Sequence, residues 1–128
     1  MNAITIKEFG GPENLIPAEV IDPFPSPEEV LVEVYATALN RADLMQRAGK
    51  YPPPPGVSSI PGLEIAGKVI DMGNQVDAWK KGDRIFGLIP GGGYAEKAVI
   101  HQHMAMKIPD ELSFEEAAAI PEVFLTAY

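Results

Sequence analysis

Residues 38–69, ALNRADLMQRAGKYPPPPGVSSIPGLEIAGKV, decide how the fold of this chain is understood. The pattern predicts a short helix over residues 41–48, because Asn40 suits the N-cap position and Gly49 suits a helix end. A proline run then breaks the chain, and the apolar alternation that follows predicts a strand over residues 64–72. A helix, a proline-rich loop and a strand therefore follow one another in this stretch.

Outside this stretch, short runs of alternating apolar and polar residues predict a mainly β fold. Glycine, proline and asparagine clusters separate the runs, as expected for turns between strands. Strands at this spacing indicate an all-β barrel or sandwich. The seven predicted strands span residues 3–9, 15–20, 30–36, 64–72, 84–88, 94–100 and 104–108.

A second helix is predicted near the end of the chain. It starts at Ser113, where Ser113 and Glu116 have the spacing of a capping box, and it stops at Pro121. Residues 122–128 have the pattern of the first turns of a further helix, for which proline is a favourable first residue.

The order of these pieces resembles the GroES-like N-terminal domain of the medium-chain dehydrogenase/reductase superfamily. In zinc-dependent members of that superfamily, a Cys precedes a nearby Asp, and Gly-His-Glu follows further along the chain. The corresponding positions here are Asn40 and Leu63. The resemblance therefore implies a partly open β-barrel with short helices, in the zinc-independent quinone oxidoreductase branch that includes zeta-crystallin.

The residue types at these positions argue against zinc on chemical grounds alone. A catalytic zinc needs three Cys, His or acidic ligands, whereas leucine has no lone pair and a neutral amide is a poor ligand. The chain contains no Cys, which excludes a four-thiolate structural zinc site. We expect no metal in this chain.

Size and charge limit the other functions. The 128 residues suffice for one soluble domain, and the net charge of −8 disfavours nucleic acid and anionic membranes as partners. The sequence has no apolar run long enough to cross a bilayer and no signal-peptide pattern, so we expect a cytoplasmic protein.

The resemblance also implies a division of the chain. Residues 1–121 would form the GroES-like catalytic (substrate) domain, and residues 122–128 would begin the helix that leads to a Rossmann nucleotide-binding domain. The chain has no Gly-x-Gly-x-x-Gly fingerprint, and the glycines at 91–93 are predicted to form a tight turn between strands. We therefore expect either the N-terminal piece of a longer enzyme or the product of a truncated gene, inactive when alone.

Three residues match site positions of the resembled family. Asn40 and Tyr51 correspond to catalytic and cofactor-binding positions beside the nicotinamide of NADPH and a quinone, and Thr126 corresponds to a cofactor-binding position. The amide and the phenol are neutral hydrogen-bond donors, which suit a quinone oxygen that gains negative charge. Two structural alternatives stay open, since Asn40 suits a helix cap and Tyr51 suits packing against the prolines.

Four other titratable residues have simpler explanations. Asp43 lies in the first turn of the predicted helix, where a negative charge is favoured. Glu64 either pairs with an Arg or faces the cleft. His101 and His103 face the same side of an extended segment, but two ligands do not make a metal site, and surface histidines are the preferred interpretation.

Two other functions stay open at this level. The same cleft would serve an NADPH-dependent enoyl or alkene reductase, and a free-standing GroES-like barrel would bind without catalysis. We also expect a homo-oligomer, because the final apolar residues would form an exposed patch. These residues are Val123, Phe124, Leu125 and Tyr128.

Overall fold

The described strands form two antiparallel sheets, and three short α-helices pack around them. The computed structural model describes residues 1–127, apart from the side chains of Leu125 and Thr126. Its strands are β1 (Asn2–Ile6), β2 (Leu15–Glu19), β3 (Glu29–Thr37), β4 (Glu64–Met72), β5 (Arg84–Leu88), β6 (Lys97–His101) and β7 (Ala105–Lys107). Its α-helices are α1 (Arg41–Arg47), α2 (Phe114–Ala118) and α3 (Pro121–Ala127), and a 3-10 helix at Pro12–Asn14 lies between β1 and β2.

The larger sheet curls into a half-barrel. Its strand order is β6-β3-β4-β5-β7, so β6 and β7 occupy opposite edges. Only residues 102–104 connect these two strands along the chain. Even when fully extended, a connection this short reaches little further than three residues. The two edges of the sheet must therefore approach each other. The mainly β, GroES-like fold expected from the sequence is confirmed.

Two apolar clusters lie on the two faces of this sheet. The strand alternation separates them, since Ile65 and Val69 of β4 enter one cluster and Ala66 enters the other. The inner cluster fills the half-barrel and contains Val30, Val32, Ile65, Val69, Ile85, Ile89, Ala98, Ile100 and Ala105. The outer cluster lies under α2 and contains Ala66, Phe86, Ile108, Ala117 and Ala118.

Strands β3 and β4 approach each other closely at Gly67. A Cβ atom added there would lie 2.0 Å from the carbonyl oxygen of Glu33 and 2.8 Å from Val32. The β3 register is irregular on both sides of this point, between Leu31 and Val32 and between Val34 and Ala36. Only glycine fits this contact.

A buried amide holds the loop that precedes β5. The Gln102 side chain accepts from the N–H groups of Asp77 and Ala78 and donates to the carbonyl of Gln75. The Trp79 indole N–H donates to the Gln102 carbonyl at 2.8 Å. These hydrogen bonds therefore hold the loop before β5 against the turn after β6, beside the inner cluster.

Several predicted boundaries differ from the structure. β1 ends at Ile6, three residues earlier than predicted, because the chain bends before Gly10, whose φ is +151°. β6 begins at Lys97 rather than at Tyr94, because the Tyr94 N–H bonds to the carbonyl of Pro61 instead of continuing the ladder. In residues 1–127 no helix has the length and apolar character needed to cross a bilayer.

Candidate functional site

Two buried carboxylates mark the end of the barrel where β3 leaves and β4 begins. Thr37 at the end of β3 pairs with Ile65, so Asn40 and Glu64 arrive at the same end of the sheet. The Asp43 and Glu64 residues are 5% and 1% exposed. Burying a charge is costly unless its oxygens are hydrogen-bonded, so the donors around these groups are informative.

Asp43 accepts hydrogen bonds from three different segments. Its Oδ2 accepts from the Asn40 N–H at 2.9 Å and from the Tyr94 hydroxyl at 2.5 Å. Its Oδ1 accepts from the Gly62 N–H at 3.3 Å. The prediction that Asp43 lies in the first turn of a helix is confirmed, and its carboxylate also joins that helix to two loops.

Glu64 accepts on both of its oxygens. The Asn40 amide donates through Nδ2 to Oε1 at 2.9 Å, and the Glu122 N–H donates to Oε2 at 2.9 Å. The Thr37 hydroxyl donates to the Glu64 carbonyl at 2.6 Å. Among the described residues neither Glu64 nor Asp43 forms an ion pair, so the alternative of an Arg partner for Glu64 is wrong.

The cap alternative for Asn40 is only partly correct. Asn40 is the N-cap residue of α1, and it faces Asp43 in the arrangement of a capping box, but its side chain makes no capping hydrogen bond. The Asp43 N–H donates instead to the Asn40 backbone carbonyl at 3.0 Å. The NH₂ end of the Asn40 amide is held by Glu64.

Tyr94 is a site residue that the sequence did not reveal. Burial raises the pKa of its hydroxyl well above the ordinary value, and the hydrogen bond to Asp43 and the charges of Asp43 and Glu64 raise this pKa further. The hydroxyl is therefore a donor across the ordinary pH range. Its position directly after a glycine triplet was the only signal in the sequence.

The glycine triplet brings Tyr94 to this place. The N–H groups of Gly92 and Gly93 donate to the carbonyls of Ile60 and Gly62 at 2.7 and 3.1 Å. A Cβ atom added to Gly62 would lie 2.7 Å from the Cα of Gly93, so both residues must be small. These bonds run to residues 60–62 rather than within 91–93, so the predicted tight turn is wrong: the glycines form a bend that packs against that segment.

Tyr51 lies on the loop after α1 and lines a cavity of about 690 Å³. Leu63, Pro54 and Glu122 are also in its wall, whereas Asn40 is not. Tyr51 is 43% exposed, and its hydroxyl has no hydrogen-bond partner within the described part of the chain. The structure therefore does not bring the Asn40 amide and the Tyr51 hydroxyl into contact.

The remaining predicted residues lie elsewhere or are not described. The side chains of Thr126 and Leu125 are not described, and Tyr128 lies outside the described residues. Val123 and Phe124 are 52% and 63% exposed. His101 lies 3.5 Å from Glu28, and residues 1–127 contain no group of three or more ligand-type side chains arranged for a metal.

Comparison with known proteins agrees with this fold. Residues 26–110 match the family described as the alcohol dehydrogenase GroES-like domain. A quinone oxidoreductase of Lama guanicoe is 42% identical over all of this chain and 39% of its own length. The human synaptic vesicle membrane protein VAT-1 homolog-like protein has a TM-score of 0.92 at 37% identity, over 100% of this chain and 41% of that structure.

A third relative carries a cofactor. The Escherichia coli quinone oxidoreductase, in a crystal structure with NADPH, has a TM-score of 0.82 at 36% identity. The match covers 93% of this chain and 36% of that structure. The chain thus spans about two fifths of the length of the relatives it matches.

Proposed function

Because the chain belongs to the alcohol dehydrogenase GroES-like domain family, we propose that it forms the substrate side of an NADPH-dependent quinone oxidoreductase that works without zinc. The observation that carries this proposal is the neutral amide of Asn40, held by Glu64, together with the buried apolar side chain of Leu63. The similarity to quinone oxidoreductases supports the substrate class.

The surroundings of Asn40 and Leu63 do not fit zinc. Leu63 is 8% exposed and offers no ligand atom. The Asn40 nitrogen donates to Glu64, so that end of the amide has no lone pair for a metal. Both oxygens of Glu64 are already bonded to donors. We therefore derive no metal-assisted step for this site.

The residues of this chain fit the nicotinamide end of NADPH but not its pyrophosphate. Tyr51 offers a neutral donor at the cavity wall, and Asn40 keeps one N–H beyond the one bonded to Glu64. The net charge of −8 and the occupied N–H groups of Gly92 and Gly93 suit no pyrophosphate. A nucleotide-binding domain following α3 would hold the phosphates.

When bound, NADPH supplies a hydride. Reduction of a quinone to a hydroquinone by hydride transfer consumes one hydride and one proton from solvent, and it places negative charge on a quinone oxygen before that proton arrives. Tyr51 would donate a hydrogen bond to that oxygen, and Asn40, which lies outside the wall of the Tyr51 cavity, would contact the nicotinamide. The apolar residues of the cavity, among them Leu63 and Val57, would exclude water.

The test is NADPH oxidation by 1,4-benzoquinone in the complete polypeptide that this chain begins. We expect turnover that a zinc chelator does not reduce, and no turnover by the purified 128-residue chain. Tyr51→Phe should lower kcat of the complete enzyme by about tenfold to a hundredfold at unchanged stability. Tyr35→Phe is the control, since Tyr35 does not line the cavity of Tyr51 and its hydroxyl has no described partner.

Three results would contradict the proposal. Chelator-sensitive turnover would reject the zinc-free site, and faster reduction of an enoyl thioester than of any quinone would reject the substrate class. A native protein whose intact mass equals that of the 128 residues would reject the second domain and favour a free-standing binding barrel.

A further inference from the structure

We propose that Glu64 is a positioning residue that sets the orientation of the Asn40 amide and links it to the first turn of α3. This inference rests on the proposed function, because it gives Asn40 its place in the reaction. The carboxylate contacts both groups at 2.9 Å, one through each oxygen.

The chemistry of the pair fixes which end of the Asn40 amide faces Glu64. A carboxylate only accepts hydrogen bonds, so the NH₂ end of the amide must face it. The Asn40 oxygen and its second N–H then point away from Glu64. Without Glu64 the amide would be free to turn over, and the donor and the acceptor would exchange places.

The second oxygen of Glu64 binds the start of a helix. The N–H groups in the first turn of a helix have no partner within that helix, and a negative charge there is favoured. The Glu122 N–H is such a group, and it donates to Glu64 from a position 58 residues further along the chain. A displacement of α3 must therefore move the Glu64 carboxylate or break this bond.

The burial of Glu64 points to a positioning role rather than to packing. Its side chain is among the largest that are fully buried in the protein, at 1% exposure. A buried carboxylate without a cation costs free energy that an apolar residue of similar size would not cost. What the carboxylate adds is its pair of directed acceptors, one for Asn40 and one for α3.

The first test uses NMR on the 128-residue chain with Glu64→Gln. Glutamine has one acceptor and presents NH₂ at the other position, so it cannot satisfy both donors. We expect the Asn40 side-chain amide signals to shift and the Glu122 amide to exchange with solvent about tenfold faster. Glu19→Gln, an exposed change of the same type, should leave both unchanged. Unchanged signals in a folded Glu64→Gln protein would overturn the link.

A second test changes Asn40 and leaves the buried carboxylate of Glu64 intact. Asn40→Ala removes one donor and leaves Glu64 free to move. We expect faster exchange of the Glu122 amide in this variant, with exposed Asn74→Ala as the control. An unchanged exchange rate would overturn the coupling even where Glu64→Gln does not fold.

Kinetics of the complete enzyme then separate positioning from a structural role. We expect Glu64→Gln to lower kcat for the quinone about tenfold with KM changed less than about twofold. In an Asn40→Ala background the same change should have no further effect on kcat, because Glu64 acts through Asn40. Additive losses would overturn the inference. Absence of turnover in the wild type would reject the proposed function instead, and the NMR measurements would still decide the link.

Discussion

The hydrogen bond from Tyr94 to Asp43 allows a quantitative prediction for Tyr94→Phe. The substitution removes one oxygen atom and retains the ring. Hydrogen bonds to charged groups contribute roughly 1.5–3 kcal/mol. Asp43 would keep its bonds to the N–H groups of Asn40 and Gly62, so we take the lower part of this range, about 1.5–2 kcal/mol.

Urea unfolding followed by tryptophan fluorescence measures this loss. Trp79 is the single tryptophan, and it packs against the inner cluster. With a slope of about 2 kcal/mol per molar urea, the midpoint should fall by about 0.8–1 M. Tyr35→Phe is the matched control, because the Tyr35 ring packs on Phe114 at 4.4 Å and its hydroxyl has no described partner. The control should change stability by less than about 0.5 kcal/mol.

The pH dependence gives an independent check. The pKa of Tyr94 is raised in the folded protein, mainly by burial and then by Asp43. The stability that this hydroxyl contributes is therefore full below about pH 10, the ordinary tyrosine value, and is lost as the pH rises toward the folded pKa. The advantage of the wild type over Tyr94→Phe should be constant up to about pH 10 and then shrink. A loss equal to that of Tyr35→Phe, or an advantage that grows above that pH, would refute the reasoning.

Three further substitutions have expected outcomes. Gly67→Ala should destabilise the protein by about 3 kcal/mol or more in urea unfolding, because the new methyl group would clash with the Glu33 carbonyl. A loss below about 1 kcal/mol would contradict this packing. Gln102→Leu should cost about 2–4 kcal/mol and change the tryptophan emission, since three backbone groups lose their partner; an unchanged midpoint would be inconsistent with it. The hydrogen bond from Lys97 lowers the pKa of Asp22. The wild type should therefore have a higher melting temperature than Asp22→Asn above about pH 4, and this difference should close as the pH falls through the lowered pKa. Equal melting temperatures at pH 7 would count against this ion pair.

Most of the fold follows from local patterns in the sequence. Strand β4 was predicted with its observed limits, Glu64 to Met72, because its apolar alternation is strong and Gly73 ends it. The start of α1 at Arg41 was predicted for a similar reason, since a preferred cap residue comes before it. Such signals depend on neighbours within a few residues, which the sequence shows directly.

The site was less predictable because its hydrogen bonds join distant parts of the chain. The Tyr94 hydroxyl reaches Asp43 across 51 positions, and the amide of Asn40 bonds to Glu64 across 24. Local propensity favoured a capping role for Asn40, and the Glu64 carboxylate, brought close by the β3–β4 pairing, accepts in addition from the NH₂ end of its side chain. No pattern within a few residues of Tyr94 indicates such a partner.

The bond between Asn40 and Glu64 also constrains how the site can evolve. A mutation of Asn40 to cysteine would replace the amide by a weak S–H donor and leave a buried oxygen of Glu64 poorly satisfied, at about 1–3 kcal/mol. A mutation of Leu63 to histidine would bury an imidazole before any other ligand was present. Either substitution alone is thus expected to lower the stability of the protein. Selection acting one mutation at a time would therefore retain Asn40 and Leu63 in lineages that carry this arrangement.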